Sequence, residues 1–313
     1  MRSEQSPTDP LPTDPLPTDP LPADPVAAVD VGGMSIKRGL VVFDDSGAPS
    51  VELLPAQPID ATAAAQVLLG DLHQAIDPLI RRAADCRQGE KLALGIAFPG
   101  PMDYPRGIPV IRGQRKFDDL YGVDLRAWAT TAWPDQALDI RFVNDAEAAA
   151  LGESISGASR SSQRSLMVTL GTGFGAAAVI DGRGASLVSG IDVSLLFEAL
   201  VEGHGRADDV LSAVGLAALL SVPVGGVAGA AQAAREEDVA MSSLFEEFGC
   251  RLGQFLSVYL SAMDMDVLVI GGGASKAFDL FAPSLCAEVD AEVQVAALGD
   301  QAPLIGAAAF TVM

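Results

Sequence analysis

Positive charge is scarce in this chain. Its 313 residues carry 20 Lys and Arg against 41 Asp and Glu, a formal net charge of −21. A surface of that sign repels phosphate backbones and anionic headgroups, so nucleic acid and membrane surfaces are excluded as partners. An anionic nucleotide is not excluded, because it needs only one locally favourable pocket. Cysteine is scarce too. Cys86, Cys250 and Cys286 lie far apart and follow no pattern, which argues against a disulfide framework and for a reduced, cytoplasmic setting. The first 25 residues hold no apolar h-region, so no secretory signal is expected. Val210 to Ala234 carries no formal charge. It is rich in Ala and Gly and broken by Pro223 and the Gly225-Gly226 pair, so it reads as two helices and a turn rather than a membrane span.

Apolar residues make up 49% of the chain and the mean hydropathy is +0.31, enough for a large core and two domains. Residues 7–25 repeat Pro-Thr-Asp-Pro-Leu three times and close on Pro-Ala-Asp-Pro. Proline this dense predicts an extended, solvated tail, either a passive acidic one or a recognition segment. Beyond it, Val26 to Val31 reads as a strand that ends on Gly32-Gly33, and Ser35 to Asp44 is β-rich again. The glycine pair therefore joins two strands. A P-loop or Rossmann turn is excluded, since both need a helix after the glycines. Glycines here allow a phosphate to approach backbone N–H groups; an ordinary hairpin turn fits as well.

Residues 61–82 show helical spacing. Leu92 to Phe98 reads as a strand closed by the rigid turn Pro99-Gly100-Pro101-Met102-Asp103. From Tyr104 to Tyr121 a loop is expected, with Arg112, Gln114, Arg115 and Lys116 as the most basic stretch of an acidic protein; it either lines a cleft or is simply solvated. Ile140 to Val143 is a short apolar strand. It ends on Asn144-Asp145 before an Ala-rich helix, with either residue placed to cap it. Two polar groups at a strand tip facing a helix start form a plausible active site. Ser165 to Leu170, Gly171-Thr172-Gly173-Phe174-Gly175 and Ala176 to Ile180 then repeat the strand–glycine–strand design about 140 residues on. That repetition suggests a duplicated fold with a ligand clamped between its halves. Residues 241–263 read as a long amphipathic helix, Val267 to Ile270 as a strand ending in Gly271-Gly272-Gly273, Ser275 to about Asp290 as a helix, and 298–310 as a final helix.

These segments, in this order, resemble the ROK family of sugar kinases from Val26 to Met313. The motifs are Asp30-Val31-Gly32-Gly33, Gly95 to Asp103, Asn144-Asp145-Ala146 through Glu153, Leu170 to Gly175, Ile270 to Gly273, and Gly299-Asp300 with Leu304 to Ala308. The resemblance implies an α/β, two-domain actin-like ATPase fold (ribonuclease H-like, duplicated) with the ligand cleft between the lobes. One lobe spans 26–146, with 302–313 packing back on it, and the other spans 147–301. The implied activity is transfer of the ATP γ-phosphoryl group to a hexose hydroxyl, the 6-OH of glucose being the type case. Asp145 would be the general base. Asn144 and Gly100 would hold the sugar. Asp30, Gly32, Gly33, Lys37, Gly171, Thr172, Gly173, Gly272 and Gly273 would hold the nucleotide, with Asp30 facing Mg²⁺ through water. A homodimer is implied only by the resemblance.

The chain also departs from the family. Many members carry a Cys/His zinc cluster after the second phosphate segment. Here Gly190 to Ser212 holds one histidine, His204, and no cysteine, so no zinc site is expected. The family's Glu-x-Gly-His sugar contact has two candidates, Glu198 and the Glu202-Gly203-His204 run, or else these are solvated surface residues. Met34 stands where a threonine is common. These departures keep open a sugar- or nucleotide-binding protein with attenuated catalysis, and the Arg112 to Lys116 loop keeps open polyphosphate as donor.

Overall fold

The computed structural model of the protein describes residues 24–86, 91–113, 116–223 and 226–312. The proline-rich tail, apart from its last two residues, lies outside them, as do Gln114, Arg115 and Gly225. The first half builds β1 (Val26–Val31), β2 (Ser35–Phe43), β3 (Pro49–Pro58), α1 (Ala65–Cys86), β4 (Leu92–Phe98), the two-residue strands β5 (Met102–Asp103) and β6 (Ile108–Pro109), α2 (Leu125–Ala132), β7 (Leu138–Asn144) and α3 (Asp145–Ser156). The second half opens with β8 (Arg164–Leu170), β9 (Phe174–Ile180) and β10 (Arg183–Ala185). Short strands β11 (Leu187–Val188), β12 (Ile191–Asp192), β13 (Leu200–Val201) and β14 (Gly205–Arg206) follow. Then come α4 (Ala207–Val210), α5 (Ala213–Leu219), α6 (Val227–Arg235), α7 (Val239–Met263), β15 (Val267–Gly271), α8 (Phe278–Glu288), β16 (Glu292–Val295) and α9 (Ala302–Val312).

Two five-stranded sheets share one topology. The first runs β3-β2-β1-β4-β7 and the second β10-β9-β8-β15-β16. In each, an antiparallel meander feeds two parallel strands: β1 pairs parallel with β4 and β4 with β7, while β8 pairs parallel with β15 and β15 with β16. The inner parallel strands are buried along almost their whole length, as strands covered on both faces must be, and their sequences are near-continuous apolar runs. Helix α1 lays Leu68, Leu72, Ile76 and Leu79 on the first sheet. Helices α7 and α8 cover the second with Phe248, Leu252, Leu256 and Phe281.

Helices α3 and α9 cross at backbone contact. A Cβ on Gly152 would collide with the Ala302 backbone, one on Gly306 with Ala148, and one on Gly95 with Ala307. Glycine is required at these notches because any side chain would force the elements apart. The fully buried carboxylate of Glu153 fixes the crossing. It accepts the backbone N–H of Ala158 (2.7 Å), Ala297 (3.0 Å) and Leu298 (2.9 Å), so the end of α3 is tied to the segment that leads into α9.

Several expectations need correction. The first helix starts at Ala65, not residue 61, because the Asp60 side chain accepts from the Thr62 N–H (2.9 Å) and hydroxyl (2.7 Å) and closes a turn there. It also runs on to Cys86. Residues 273–277 form a 3₁₀ turn, so α8 begins at Phe278 rather than Ser275; the Ser275 hydroxyl donates to the Gly272 carbonyl (2.7 Å). The 104–121 segment carries β6 and a 3₁₀ turn at Asp118–Leu120. No helix among the described residues is long and apolar enough to cross a membrane.

Candidate active site

The centre of the site is the junction of β7 and α3. Asn144 is the N-cap: its Oδ1 accepts the N–H groups of Ala146 (3.0 Å) and Glu147 (3.2 Å). Asp145 is the first helical residue and takes only a share of the capping, through the Ala146 N–H (2.9 Å). The cap is therefore satisfied by the residue before it, and a carboxylate is left at the helix start. Asp145 is half-buried. Burial pushes its pKa above the ordinary 3.8, while its backbone hydrogen bonds and the Lys116 and Lys37 cations pull the other way.

Asn144 is committed on both ends. Its Nδ2 donates to Tyr104 Oη (3.0 Å), and that hydroxyl donates to the Phe98 carbonyl (3.2 Å). A Cβ on Gly100 would lie 3.1 Å from Tyr104 Oη and 3.6 Å from Asn144 Nδ2. The proline turn, with Gly100-Pro101 in the cis form, is thereby brought against the strand tip. The second N–H of Asn144 Nδ2 has no partner among the described residues and can serve a ligand.

The first glycine turn joins β1 to β2. The Gly32 N–H donates to the Ser35 carbonyl (3.0 Å), but those of Gly33 and Met34 bond to no other described residue. Asp30, at the end of β1, is 8% exposed. Lys37 Nζ reaches its Oδ2 at 3.3 Å and Asp300 Oδ1 at 3.1 Å. Burial raises the Asp30 pKa to about 6; Lys37 lowers it, and the Asp145 charge adds to the rise. Burial also presses on the Lys37 ammonium, but Asp30 and Asp300 outweigh it and hold its pKa above the ordinary value.

The second turn joins β8 to β9. The Gly171 N–H is used by the Gly173 carbonyl (3.0 Å), and the Phe174 N–H by Asp208 Oδ1 (2.8 Å). The N–H groups of Thr172 and Gly173 bond to no other described residue. Each turn thus offers two adjacent backbone donors, the arrangement that binds phosphate oxygens. Lys116 links the turns. Its Nζ donates to Thr172 Oγ1 (3.0 Å), and its stem passes Gly33, where a Cβ would lie 3.7 Å away. Beside the second turn, Gly272 has φ 83°, and a Cβ there would stand 2.6 Å from the Leu170 backbone. Gly273 has open space where its Cβ would be, leaving room for a planar group.

Asp30 pairs with Lys37, Lys116 joins Gly33 to Thr172, and the charges of Asp30, Lys37 and Lys116 act on Asp145, which makes these residues one electrostatic cluster. The candidates Glu198, Glu202 and His204 have no bond to it. Glu198 is exposed at the end of the 3₁₀ turn Val193–Glu198, and Glu202 and His204 are exposed at the tip between β13 and β14. The basic loop divides. Arg112 lies over the Tyr121 ring at 3.7 Å, while Lys116 enters the cluster. The sequence reading missed Tyr104, Asp208 and the individual role of Lys116. Only Lys116 had a signal, as part of the basic stretch; Asp208 reaches the second turn from 34 residues away.

The ROK family model matches residues 26–193. The chain belongs to the ROK family. Over 223 residues (64% of this chain and 68% of the relative) it is 26% identical to the N-acetylgalactosamine kinase AgaK of Shewanella sp. (strain ANA-3). Over 320 residues (89% and 92%) it is 25% identical to a glucokinase of Halalkalibacterium halodurans. The fold superposes with TM-score 0.68 on a ROK family glucokinase of Streptomyces griseus solved with glucose and AMPPNP, at 23% identity over 91% of this chain and 98% of that one. This ROK chain has the actin-like ATPase fold, with its two five-stranded sheets.

A magnesium ion is compatible with the donors present. Mg²⁺ takes one or two carboxylates and fills its octahedron with water and phosphate oxygens. Asp30 offers one buried carboxylate, paired with Lys37, at the end of the strand that leads into the first turn.

Proposed function

We propose that this ROK protein is a sugar kinase that transfers the γ-phosphoryl group of ATP to a hydroxyl of a hexose, the 6-OH of glucose serving as the reference case. The observation that carries the reading is the position of Asp145: a carboxylate at a helix start whose cap is mainly Asn144, under the charge of the Lys116 that bridges two turns whose backbone donors have no partner among the described residues. Phosphoryl transfer asks little covalent chemistry of a protein. It needs alignment, charge neutralisation and a carboxylate at the attacking hydroxyl.

In this reading the sugar lies between Gly100, the free N–H of Asn144 and Asp145. The donor phosphates rest on the N–H groups of Gly33, Met34, Thr172 and Gly173, and the adenosine lies over Gly272 and Gly273. The hydroxyl oxygen attacks the γ-phosphorus, the bond to the bridging oxygen breaks, and its electron pair leaves with ADP. Asp145 accepts the hydroxyl proton late in the transfer. Asp30 would hold Mg²⁺ through water, and the ion would supply charge neutralisation on the phosphates. Residues 26–146 with 302–313, and residues 147–301, act as two lobes whose closure excludes water from the donor.

A second reading, a sugar- or nucleotide-binding protein with attenuated catalysis, is favoured by the exposed positions of Glu198, Glu202 and His204. A coupled assay over a hexose and N-acetylhexosamine panel, with ATP and with polyphosphate as donors, separates the two. Sugar-dependent turnover with either donor supports the kinase, and the donor that works identifies its source. Binding without turnover across the panel overturns it.

A further inference from the structure

The basic stretch around Arg112–Lys116 is out of place in a chain of net charge −21, and only one of its described cations reaches the site. Arg112 is occupied by the Tyr121 ring. Lys116 leaves the loop that follows the proline turn, passes Gly33 of the first turn, and donates to Thr172 of the second at 3.0 Å. Its side chain is otherwise exposed and has no carboxylate partner at salt-bridge distance among the described residues. An ammonium with three donors, one of them on a neutral hydroxyl, retains strong capacity for an anion.

We infer that Lys116 is a phosphoryl clamp: its ammonium binds the terminal phosphate of the donor at the junction of the two glycine turns. This assignment rests on the kinase reading for the identity of the donor. A phosphate seated on the N–H groups of Thr172 and Gly173, which have no partner among the described residues, would lie within reach of an ammonium already on the Thr172 hydroxyl. The same cation favours the ionised form of Asp145, the carboxylate assigned to the acceptor proton. Lys116 keeps its proton throughout. The bond made is from the acceptor oxygen to phosphorus, the bond broken is to the ADP oxygen, and the acceptor proton goes to Asp145. A compact ammonium suits this task, since it neutralises charge without imposing the planar fork of an arginine.

The test is calorimetric and needs no turnover. ADP, AMPPNP and tripolyphosphate, each with Mg²⁺, are titrated into the full chain as wild type, Lys116→Met and Lys116→Arg. A charge-assisted contact to the terminal phosphate predicts that Lys116→Met weakens AMPPNP by about tenfold or more while ADP affinity stays unchanged, and that Lys116→Arg restores part of the loss. Weakening confined to tripolyphosphate supports the clamp with polyphosphate as the source of the phosphate. Equal effects on ADP and AMPPNP, or no effect on either polyanion, overturn it. Sugar-dependent turnover of the wild type is measured alongside. If it is absent while the lysine-dependent preference persists, the kinase reading fails and the clamp stands.

Discussion

Replacing Asp145 and replacing Asn144 separate a catalytic carboxylate from a helix cap. The two residues are adjacent, but their bonds differ. Asn144 accepts two backbone N–H groups at the start of α3 and donates to Tyr104. Asn144→Ala removes all three bonds and is expected to cost about 1–2 kcal/mol of stability, the range for a lost N-cap, or roughly 2–4 °C in Tm per kcal/mol for a chain of this class. Asp145 shares only the Ala146 N–H, which Asn144 also holds. Its carboxyl pKa is raised by burial, so near neutral pH the charge opposes folding and its removal gives some stability back. Asp145→Ala is therefore expected to stay within about 1 kcal/mol of wild type. Turnover should fall by ~2–4 orders of magnitude, about 3–5 kcal/mol of barrier, with nucleotide binding retained. Urea unfolding and a coupled kinase assay on the same preparations give both numbers. An Asp145→Ala protein that unfolds as early as Asn144→Ala yet turns over normally would show that Asp145 is only part of the cap.

Other expectations follow from the same geometry. Glu153→Ala leaves three buried N–H groups without an acceptor, and urea unfolding should show a loss of about 3–5 kcal/mol; a loss below 1 kcal/mol would mean that water replaces the carboxylate. Gly272→Ala meets both a φ of 83° and the Leu170 backbone at 2.6 Å, so nucleotide affinity should fall by tenfold or more, and unchanged affinity would place the adenosine elsewhere. The acid limb of kcat/KM should lie above 3.8, the ordinary carboxylate pKa, because Asp145 must be ionised to accept a proton and burial raises its pKa. Lys116→Met removes a cation that favours the ionised form and should move that limb to higher pH; a limb that moves to lower pH contradicts a favourable action of the Lys116 charge on Asp145.

Much of this architecture was legible because its signals are local. The inner strands β1, β4, β8 and β15 are apolar runs closed by glycine or proline, and the two strand–glycine–strand units share one sequence pattern. The Asn144-Asp145 tip was visible as the end of one such run before an Ala-rich helix. The edge strands β3 and β16 were not. β3 contains Pro49, Pro55 and Pro58 and has no fully buried residue; proline is tolerated in such a strand only where ladder donors are spare. β16 is four residues long and was hidden by the helix before it. Lys116 could be read as basic but not as a bridge, since its partner Thr172 is 56 residues away. Asp208 carries no sequence signal at all, because its function on the Phe174 N–H exists only once the 207–210 helix is folded against the second turn.

Phosphorus NMR of the wild-type protein with ATP, Mg²⁺ and a sugar it accepts is the most direct measurement. The account predicts a new sugar phosphomonoester signal that grows in equal amount with ADP, and its loss in Asp145→Ala. Formation of inorganic phosphate in place of the sugar ester, or an undiminished ester signal from Asp145→Ala, would contradict it.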